Sequence, residues 1–324
     1  MRGRVGEGPT ARDDRTGPAP SSRADWRHSL LLEAGSCIHR AAPFYRRDPV
    51  RWFSGGMTTN EFPTTTTTAP ADAESAVPPT VLITGCSSGY GLETARRFHA
   101  QGWHVVATMR TPRPGILPEG DRMRVLPLDV TEPASITAAV AAAGPIDVLV
   151  NNAGVGAIGA FEATPLALAR DVFETNAFGV MATTQAVLPG FRERRSGTVV
   201  NVTSSVTLAR MPLVAVYTAS KTAIEGFTAS LALELEEFGV RAKLVQPGYG
   251  PSTNFGANGQ AQMEGLIPEP YAAFAERVMA DFRAPTVVTT PADVADAVWR
   301  AANDGTGQLR WPAGPDAVAL AQYR

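Results

Sequence analysis

From residue 79 onward, short apolar runs alternate with stretches in which apolar positions recur every three or four residues. Residues 79–84 (Pro-Thr-Val-Leu-Ile-Thr) are apolar and β-branched, the pattern of a strand buried on both faces. A glycine-rich turn follows at 85–91, and then a helical pattern places Leu92, Ala95, Phe98 and His99 on one side. Gly102 stops that helix, 103–109 reads as the next strand, and 123–128 as a third that ends at Asp129. A helix over 133–143 leads into a strand over 146–150, and another strand starts at Val240. Two long helices rich in Ala and other small residues are predicted at 161–187 and 215–238. Strands and helices alternating at this length imply right-handed βαβ crossovers and a parallel sheet with helices on both faces. The predicted fold class is therefore α/β, a single doubly wound parallel sheet. A ligand on such a sheet belongs at the carboxyl ends of the strands, where the strand order reverses.

The front of the chain breaks this rhythm. Residues 1–79 are rich in Arg, Pro, Gly and Ser and include the threonine run from Thr64 to Thr68, a linker-like composition with little to bury. The apolar patch at 30–32 is too short and too far in for a secretory signal, and Asp13, Asp14, Asp25 and Glu33 oppose a transit peptide. The expectation is that 1–79 is an extension outside the fold and that translation starts at Met57. Intact mass of native protein that included residues before Met57 would refute the second part. Residues 80–324 then form one nucleotide-binding domain, with a substrate loop at 249–285.

Composition removes several function classes. A formal net charge of -2 gives no basic field for nucleic acid, and no apolar run reaches transmembrane length. Cys37 and Cys86 suggest neither a metal site nor a disulfide, which fits a reducing cytoplasm, and the four His lack metal-ligand spacing. No metal is expected. Hydrophobic content of 44% and charged content of 19% are enough for a buried core.

The candidate chemistry lies in two places. The turn Gly85-Cys86-Ser87-Ser88-Gly89-Tyr90-Gly91, set between a strand and a helix, is the context in which backbone approaches a pyrophosphate and a helix N-terminus supplies free N–H groups. The second place is marked by lysine usage. Only two of the 29 Lys+Arg residues are lysines, and one, Lys221, follows Tyr217 by four positions. Positions i and i+4 share a helix face, so Lys221 can approach the Tyr217 hydroxyl or a ligand against it. A compact ammonium there favours the phenolate, and the expectation is a Tyr217 pKa below its usual value of about 10.

Thr84-Gly85-x-x-x-Gly89-x-Gly91, Asn151-Asn152-Ala153-Gly154 and Tyr217-x-x-x-Lys221, in that order, resemble the short-chain dehydrogenase/reductase family over about residues 80–315. The resemblance implies a Rossmann-type sheet and assigns roles. Tyr217 is the general acid/base, and Lys221 holds the nicotinamide ribose and lowers the Tyr217 pKa. Ser204 polarises the substrate oxygen, with Ser205 as the fallback, and Asn176 completes a proton relay through water. Gly85, Ser87, Ser88, Gly89, Tyr90 and Gly91 cradle the cofactor, Asp129 and Val130 lie at its adenine, and Asn151, Ala153 and Gly154 run along it. The segment Pro247-Gly248 resembles the loop that closes on the nicotinamide, with one apparent extra residue that leaves either Ser252 or Thr253 as the hydroxyl contact.

Cofactor choice follows from charge. Nothing acidic occurs between Glu93 and Glu119, where an NAD enzyme of this fold places a carboxylate for the ribose 2′-OH. The second strand instead ends in Arg110, with Arg113 nearby, which suits a 2′-phosphate. NADP(H) is therefore preferred, with NAD(H) possible. The substrate pocket is expected to draw on Val155, Ile158, Met211, Leu213, Val214, Tyr249, Phe255, Met263, Tyr271, Phe274 and Met279, some of which serve as core or interface packing instead. These residues suit a hydrophobic ketone or secondary alcohol, of steroid, retinoid or lipid type. In this family the two small-residue helices pair subunits, which implies a homodimer or homotetramer. The second reading, from another class, is a non-catalytic NADP-binding sensor on the same fold.

Overall fold

The computed structural model describes residues 77–253, 265–283 and 287–322, all within the compact unit Ala71–Arg324. The extension at 1–76, and with it the Met57 start, lies outside the described residues, as do Phe255 and Met263. In chain order the sheet strands are β1 (Thr80–Ile83), β2 (His104–Met109), β3 (Met123–Pro127), β4 (Val148–Asn151), β5 (Gly197–Val202), β6 (Val240–Pro247) and β7 (Arg310–Ala313). The helices are α1 (Gly89–Ala100), α2 (Pro133–Ala143), α3 (Leu166–Phe173), α4 (Gly179–Arg194), α5 (Ala215–Glu236), α6 (Glu269–Arg283), α7 (Pro291–Asn303) and α8 (Pro315–Ala321). The strands pair in the order β3-β2-β1-β4-β5-β6-β7, every pair parallel. The order reverses between β1 and β4, so the predicted doubly wound sheet and its switch point are both present.

Alternation along β1 builds the two layers. Val81 and Ile83 join one buried cluster with Phe98 of α1 and Val294, Ala297 and Val298 of α7. Leu82 joins the other with Leu149, Val199, Phe191 of α4 and Leu231 of α5. Successive strand residues point to opposite faces, so a strand covered on both sides has to be apolar throughout. Each large side chain sealed here, such as Phe98 or Phe191, stabilises the fold by roughly 1.5–3 kcal/mol. On the α1/α7 face, Phe98, Trp103 and Trp299 meet edge to face at centroid separations of 5.1, 5.0 and 5.7 Å.

The helix expected at 161–187 is not continuous. Phe161–Ala163 makes one 3₁₀ turn, Pro165 then precedes α3, and residues Glu174–Phe178 form a π turn that passes directly into α4. Proline suits the edge of a helix and not its interior, which sets the break at 165. The helix expected at 215–238 is α5, two residues shorter. Lys243, on β6, is buried and donates to Asp304 Oδ2 at 2.6 Å, Thr306 O at 2.7 Å and Gln308 O at 2.9 Å, anchoring the turn before β7.

Candidate active site

The exit of β1 is fixed before any ligand arrives. Thr84 Oγ1 accepts from the Asn152 and Ala153 amides, each at 3.0 Å, which locks the end of β4 beside the glycine turn. Gly85 has φ +76°, and a Cβ on it would lie 2.8 Å from Ala153 Cα. No side chain fits in that conformation at that distance. Gly91 packs against Gly85 O and the Asn152 amide, where a Cβ would overlap both. Ser88 is the extended N-cap of α1, but its hydroxyl does not cap the helix, and the first turn carries no acid. The positive end of α1 is thus left without a side-chain cap or counter-charge at the glycine turn. These features fit the pyrophosphate of a dinucleotide. Cys86, in the middle of the turn, is buried, and burial pushes its thiol up to about 12.

The residues expected along the cofactor divide. Asn152 and Gly154 line a cleft of about 600 Å³, together with Tyr90, Ser204, Ser205, Tyr217, Lys221, Pro247 and Gly248. Asn151 does not present its side chain there. Its amide is buried and donates to Thr184 Oγ1 at 2.9 Å and Asn201 Oδ1 at 2.8 Å. Neighbouring strand residues face opposite ways, so the side chain at the cleft is that of Asn152, which ties itself to Thr84 O and Gly85 O. The Asp129 carboxylate accepts from the Thr131 amide and hydroxyl, and Val130 packs where a side chain on Gly179 would go. Arg110 is exposed directly after β2, and Ser87 is half-buried.

Tyr217 and Lys221 stand one turn apart on α5, both buried. Burial pushes the Tyr217 phenol up to about 12, opposed by a hydrogen bond with Ser204. The expected fall below the usual tyrosine value is therefore absent. The Lys221 ammonium lies 6.0 Å from the Tyr217 ring centre and donates to Val202 O at 3.0 Å, and burial lowers its own pKa to about 8. Desolvation outweighs the charge effect that the i, i+4 spacing suggests. Of the two serines, Ser204 is the one that bonds Tyr217, and it also caps the 3₁₀ turn Ser205–Thr207 by accepting from the Val206 amide. Tyr90 sits in the same cleft, its phenol pushed up by burial and then by Tyr217, Asp316 and Asp293.

Asn176 lies in the π turn, a distortion that often marks functional sites. Its side chain is engaged on both ends: Oδ1 accepts from the Val155 amide at 2.8 Å, while Nδ2 donates to Val155 O at 2.8 Å and Ser220 Oγ at 3.0 Å. The amide thus pins the segment after Asn152 to α5. Gly154 fits between Asn176 and Lys221, with a Cβ there 3.2 Å from Asn176 Oδ1 and 3.3 Å from Lys221 Nζ.

The Pro247–Gly248 loop is held from the C-terminal side. Gly248 donates to Ala313 O at 3.0 Å, Tyr249 donates to Asp316 Oδ2 at 2.6 Å, and Thr289 donates through its amide to Tyr249 O at 2.8 Å. Asp316 was not among the residues singled out in the sequence, because nothing local links position 316 to position 249. Thr253 lines the cleft and lies 3.5 Å from where a Cβ of Gly89 would be, whereas Ser252 is exposed. Of the pocket residues predicted, Ile158, Met211, Val214, Tyr249 and Met279 line the cleft. Val155 instead packs with Val172 and Val216, and Leu213 and Tyr271 with Ala160 and Ala275. Phe274 is exposed.

Residues 79–263 match the profile of the short chain dehydrogenase family. Human retinol dehydrogenase 8 is 42% identical over 184 residues, which is 53% of this chain and 59% of that protein. Mouse 17-beta-hydroxysteroid dehydrogenase type 1 is 40% identical over 185 residues, 53% of this chain and 54% of that protein. The chain therefore spans less than two thirds of the length of these relatives. A short-chain dehydrogenase structure from Streptomyces avermitilis is similar at a TM-score of 0.65 and 34% identity, covering 77% of this chain and 92% of that one.

Proposed function

The chain belongs to the short-chain dehydrogenase family, and from that premise we propose that it is an NADP(H)-dependent oxidoreductase acting on a hydrophobic alcohol or the matching carbonyl compound. The observation that carries this reading is the convergence of Ser204, Tyr217 and Lys221 on one cleft at the carboxyl ends of the strands. The nicotinamide cofactor, when bound, supplies or accepts the hydride. The turn 85–91 and the α1 N-terminus hold its pyrophosphate, Lys221 holds its ribose hydroxyls, and Thr253 bonds it from the Pro-Gly loop. In reduction, Tyr217 gives its phenolic proton to the substrate oxygen while Ser204 holds that oxygen. In oxidation, Tyr217 takes the alcohol proton. Much of the remaining lining, including Ile158, Val206, Met211, Val214 and Met279, is apolar and binds by contact area and exclusion of water, while Thr203, Tyr249 and Arg283 add polar groups to it.

NADP(H) over NAD(H) rests on Arg110, which is exposed at the end of β2 with no acid following it before Glu119. Arg110→Ala is expected to weaken NADPH binding by roughly 10- to 100-fold, the worth of a hydrogen bond to a charged group, and to leave NADH binding unchanged. Fluorescence titration of both cofactors with both proteins checks this. A wild-type preference for NADH, or an equal loss for the two cofactors, would remove Arg110 from the argument. Turnover of retinol or a 17β-hydroxysteroid with NADP⁺ tests the reaction itself, and NADPH binding without turnover of any alcohol would point to a sensor.

The same proposal includes a homo-oligomer formed through α3–α4 and α5. Leu166 on α3, Phe178 in the π turn that joins α3 to α4 and Leu233 on α5 are 62%, 55% and 71% exposed, large apolar side chains facing water. Light scattering on the purified protein is expected to give a dimer or tetramer mass, and a monomer at micromolar concentration would contradict it.

A further inference from the structure

Glu225 is a buried carboxylate on α5, one turn beyond Lys221 and two beyond Tyr217. Residues spaced by four lie along one helix face, so Glu225 continues the row that carries the acid/base pair. Its Oε1 accepts from Thr203 Oγ1 at 3.0 Å, Thr207 Oγ1 at 3.1 Å and Gln246 Nε2 at 2.9 Å. Its Oε2 accepts from Arg310 Nε on β7 at 3.1 Å. Thr203 and Thr207 flank Ser204 on either side, and Gln246 immediately precedes Pro247. A single side chain of the helix that bears Tyr217 and Lys221 therefore reaches the exit of β5, the 3₁₀ turn after it, the exit of β6 and the edge strand.

The Glu225 carboxylate is the acceptor that these donors have in common. Thr203 and Thr207 each have one hydroxyl proton, and each also lies within reach of a carbonyl, Val245 O at 3.3 Å and Ser204 O at 2.7 Å. Gln246 turns its NH₂ toward Glu225 although this leaves its own buried Oε1 unpaired. The same NH₂ also reaches Thr207 Oγ1 at 3.3 Å, so Gln246 joins the carboxylate to the turn after β5. A buried carboxylate costs desolvation that a partly exposed Arg310 offsets only in part, so the return for keeping it here is sought in geometry.

We propose that Glu225 is a positioning residue for Ser204, setting the serine hydroxyl against Tyr217 by bridging Thr203 and Thr207 to α5. The proposal rests on the role given to Ser204 in the reading above. Glu225 touches neither substrate nor cofactor; it acts through the two threonines. The frame that holds the substrate oxygen is thereby built from the same helix that delivers the proton. A misplacement of about 1 Å in such a frame lowers the rate by roughly 100-fold.

The test uses the full chain, with NADP⁺ and either retinol or a 17β-hydroxysteroid as probe. Glu225→Gln keeps the shape and removes the charge. It is expected to lower kcat by roughly 10- to 100-fold, with substrate KM and NADPH affinity within about twofold of wild type. In a Ser204→Ala background, assayed at raised enzyme concentration, the same substitution is expected to cause no further loss, because residues acting through one another are not additive. Thr203→Val, which leaves the carboxylate and the Thr207 bond to Ser204 O in place, is expected to reproduce the kcat loss, and it decides the matter if Glu225→Gln does not fold. The proposal is overturned if the Glu225→Gln loss adds in full to that of Ser204→Ala. It is equally overturned if kcat is unchanged and only the melting temperature falls. Ser204→Ala turning over like wild type, or a wild type inactive on both probes, would instead remove the catalytic reading beneath it.

Discussion

Replacement of Tyr217 by Phe is expected to lower turnover by roughly 10²- to 10⁴-fold, the range that positioned proton transfer contributes. NADPH affinity is expected to stay within about twofold, since the ring and its packing remain. The size of the effect follows from where the hydroxyl sits. It is buried in a cleft whose other lining residues are mostly apolar, it bonds Ser204, and burial pushes its pKa up to about 12. A phenol in that state is fully protonated at neutral pH and ready to donate. Two other phenols line the cleft, Tyr249 and Tyr90; Tyr90 is held by its helix at the glycine turn and faces the Gly250 backbone, where a Cβ on that glycine would overlap it. Steady-state kinetics beside a fluorescence titration separate the two quantities. Residual kcat above a tenth of wild type would show that another group moves the proton.

Lys221→Met is the second substitution with a large expected effect, and its two readouts move in opposite directions. Turnover is expected to fall at least about 100-fold, because the ribose hydroxyls and the acid/base pair lose their cation. Stability of the ligand-free protein is expected to rise. Burial lowers the Lys221 pKa from 10.5 to about 8, so folding disfavours the charged form. Between those two values the unfolded chain binds more protons than the folded one, and stability climbs with pH across the window. Below about pH 8 the whole penalty applies, roughly 3 kcal/mol by linkage. The ammonium's bond to Val202 O, a hydrogen bond from a charged group, returns about 1.5–3 kcal/mol of this, leaving a net gain for Met of at most about 1.5 kcal/mol at pH 7. That gain should shrink steadily to pH 10.5. The upward shift of Tyr217 acts only above pH 10 and is common to both proteins. Urea unfolding at pH 7 and pH 10 measures the difference, and a variant less stable than wild type at pH 7 would show that Lys221 is not a desolvated charge. On the function proposed above, this penalty keeps a cation ready for the cofactor.

Local signals gave the most reliable expectations. The first strand, the glycine turn, α1 and the helix at 133–143 are short-range patterns, and they sit where the spacing places them. The Tyr217/Lys221 pair was readable because helix geometry brings i and i+4 together whatever the rest of the chain does. The direction of the Tyr217 shift was not, since burial depends on what the sheet, the 3₁₀ turn and the Pro-Gly loop assemble around the phenol. Asn151 and Asn152 show a finer limit. A motif names both residues, but only the register of β4 says which of them faces the cleft. Strand β7 has four residues, Arg-Trp-Pro-Ala, with a proline that an edge position tolerates, and so small a segment carries no usable periodicity. Asp316 and Glu225 are contacts across 67 and 85 positions, to Tyr249 and Arg310 respectively, and no window along the chain joins such pairs.

Both lysines of this chain are enclosed, one among three oxygen acceptors beside β6 and the other against the cleft. To amine chemistry the folded domain is consequently almost silent. Cross-linkers and acylating labels directed at ε-amino groups have no surface target on it, and enzymatic attachment through lysine has none either. Lys221, whose lowered pKa leaves part of it as free amine near pH 8, is reached by way of the cleft. A small acyl reagent that modifies Lys221 would therefore count the molecules whose proposed cofactor cleft is open, turning a scarcity of lysine into a measure of occupancy.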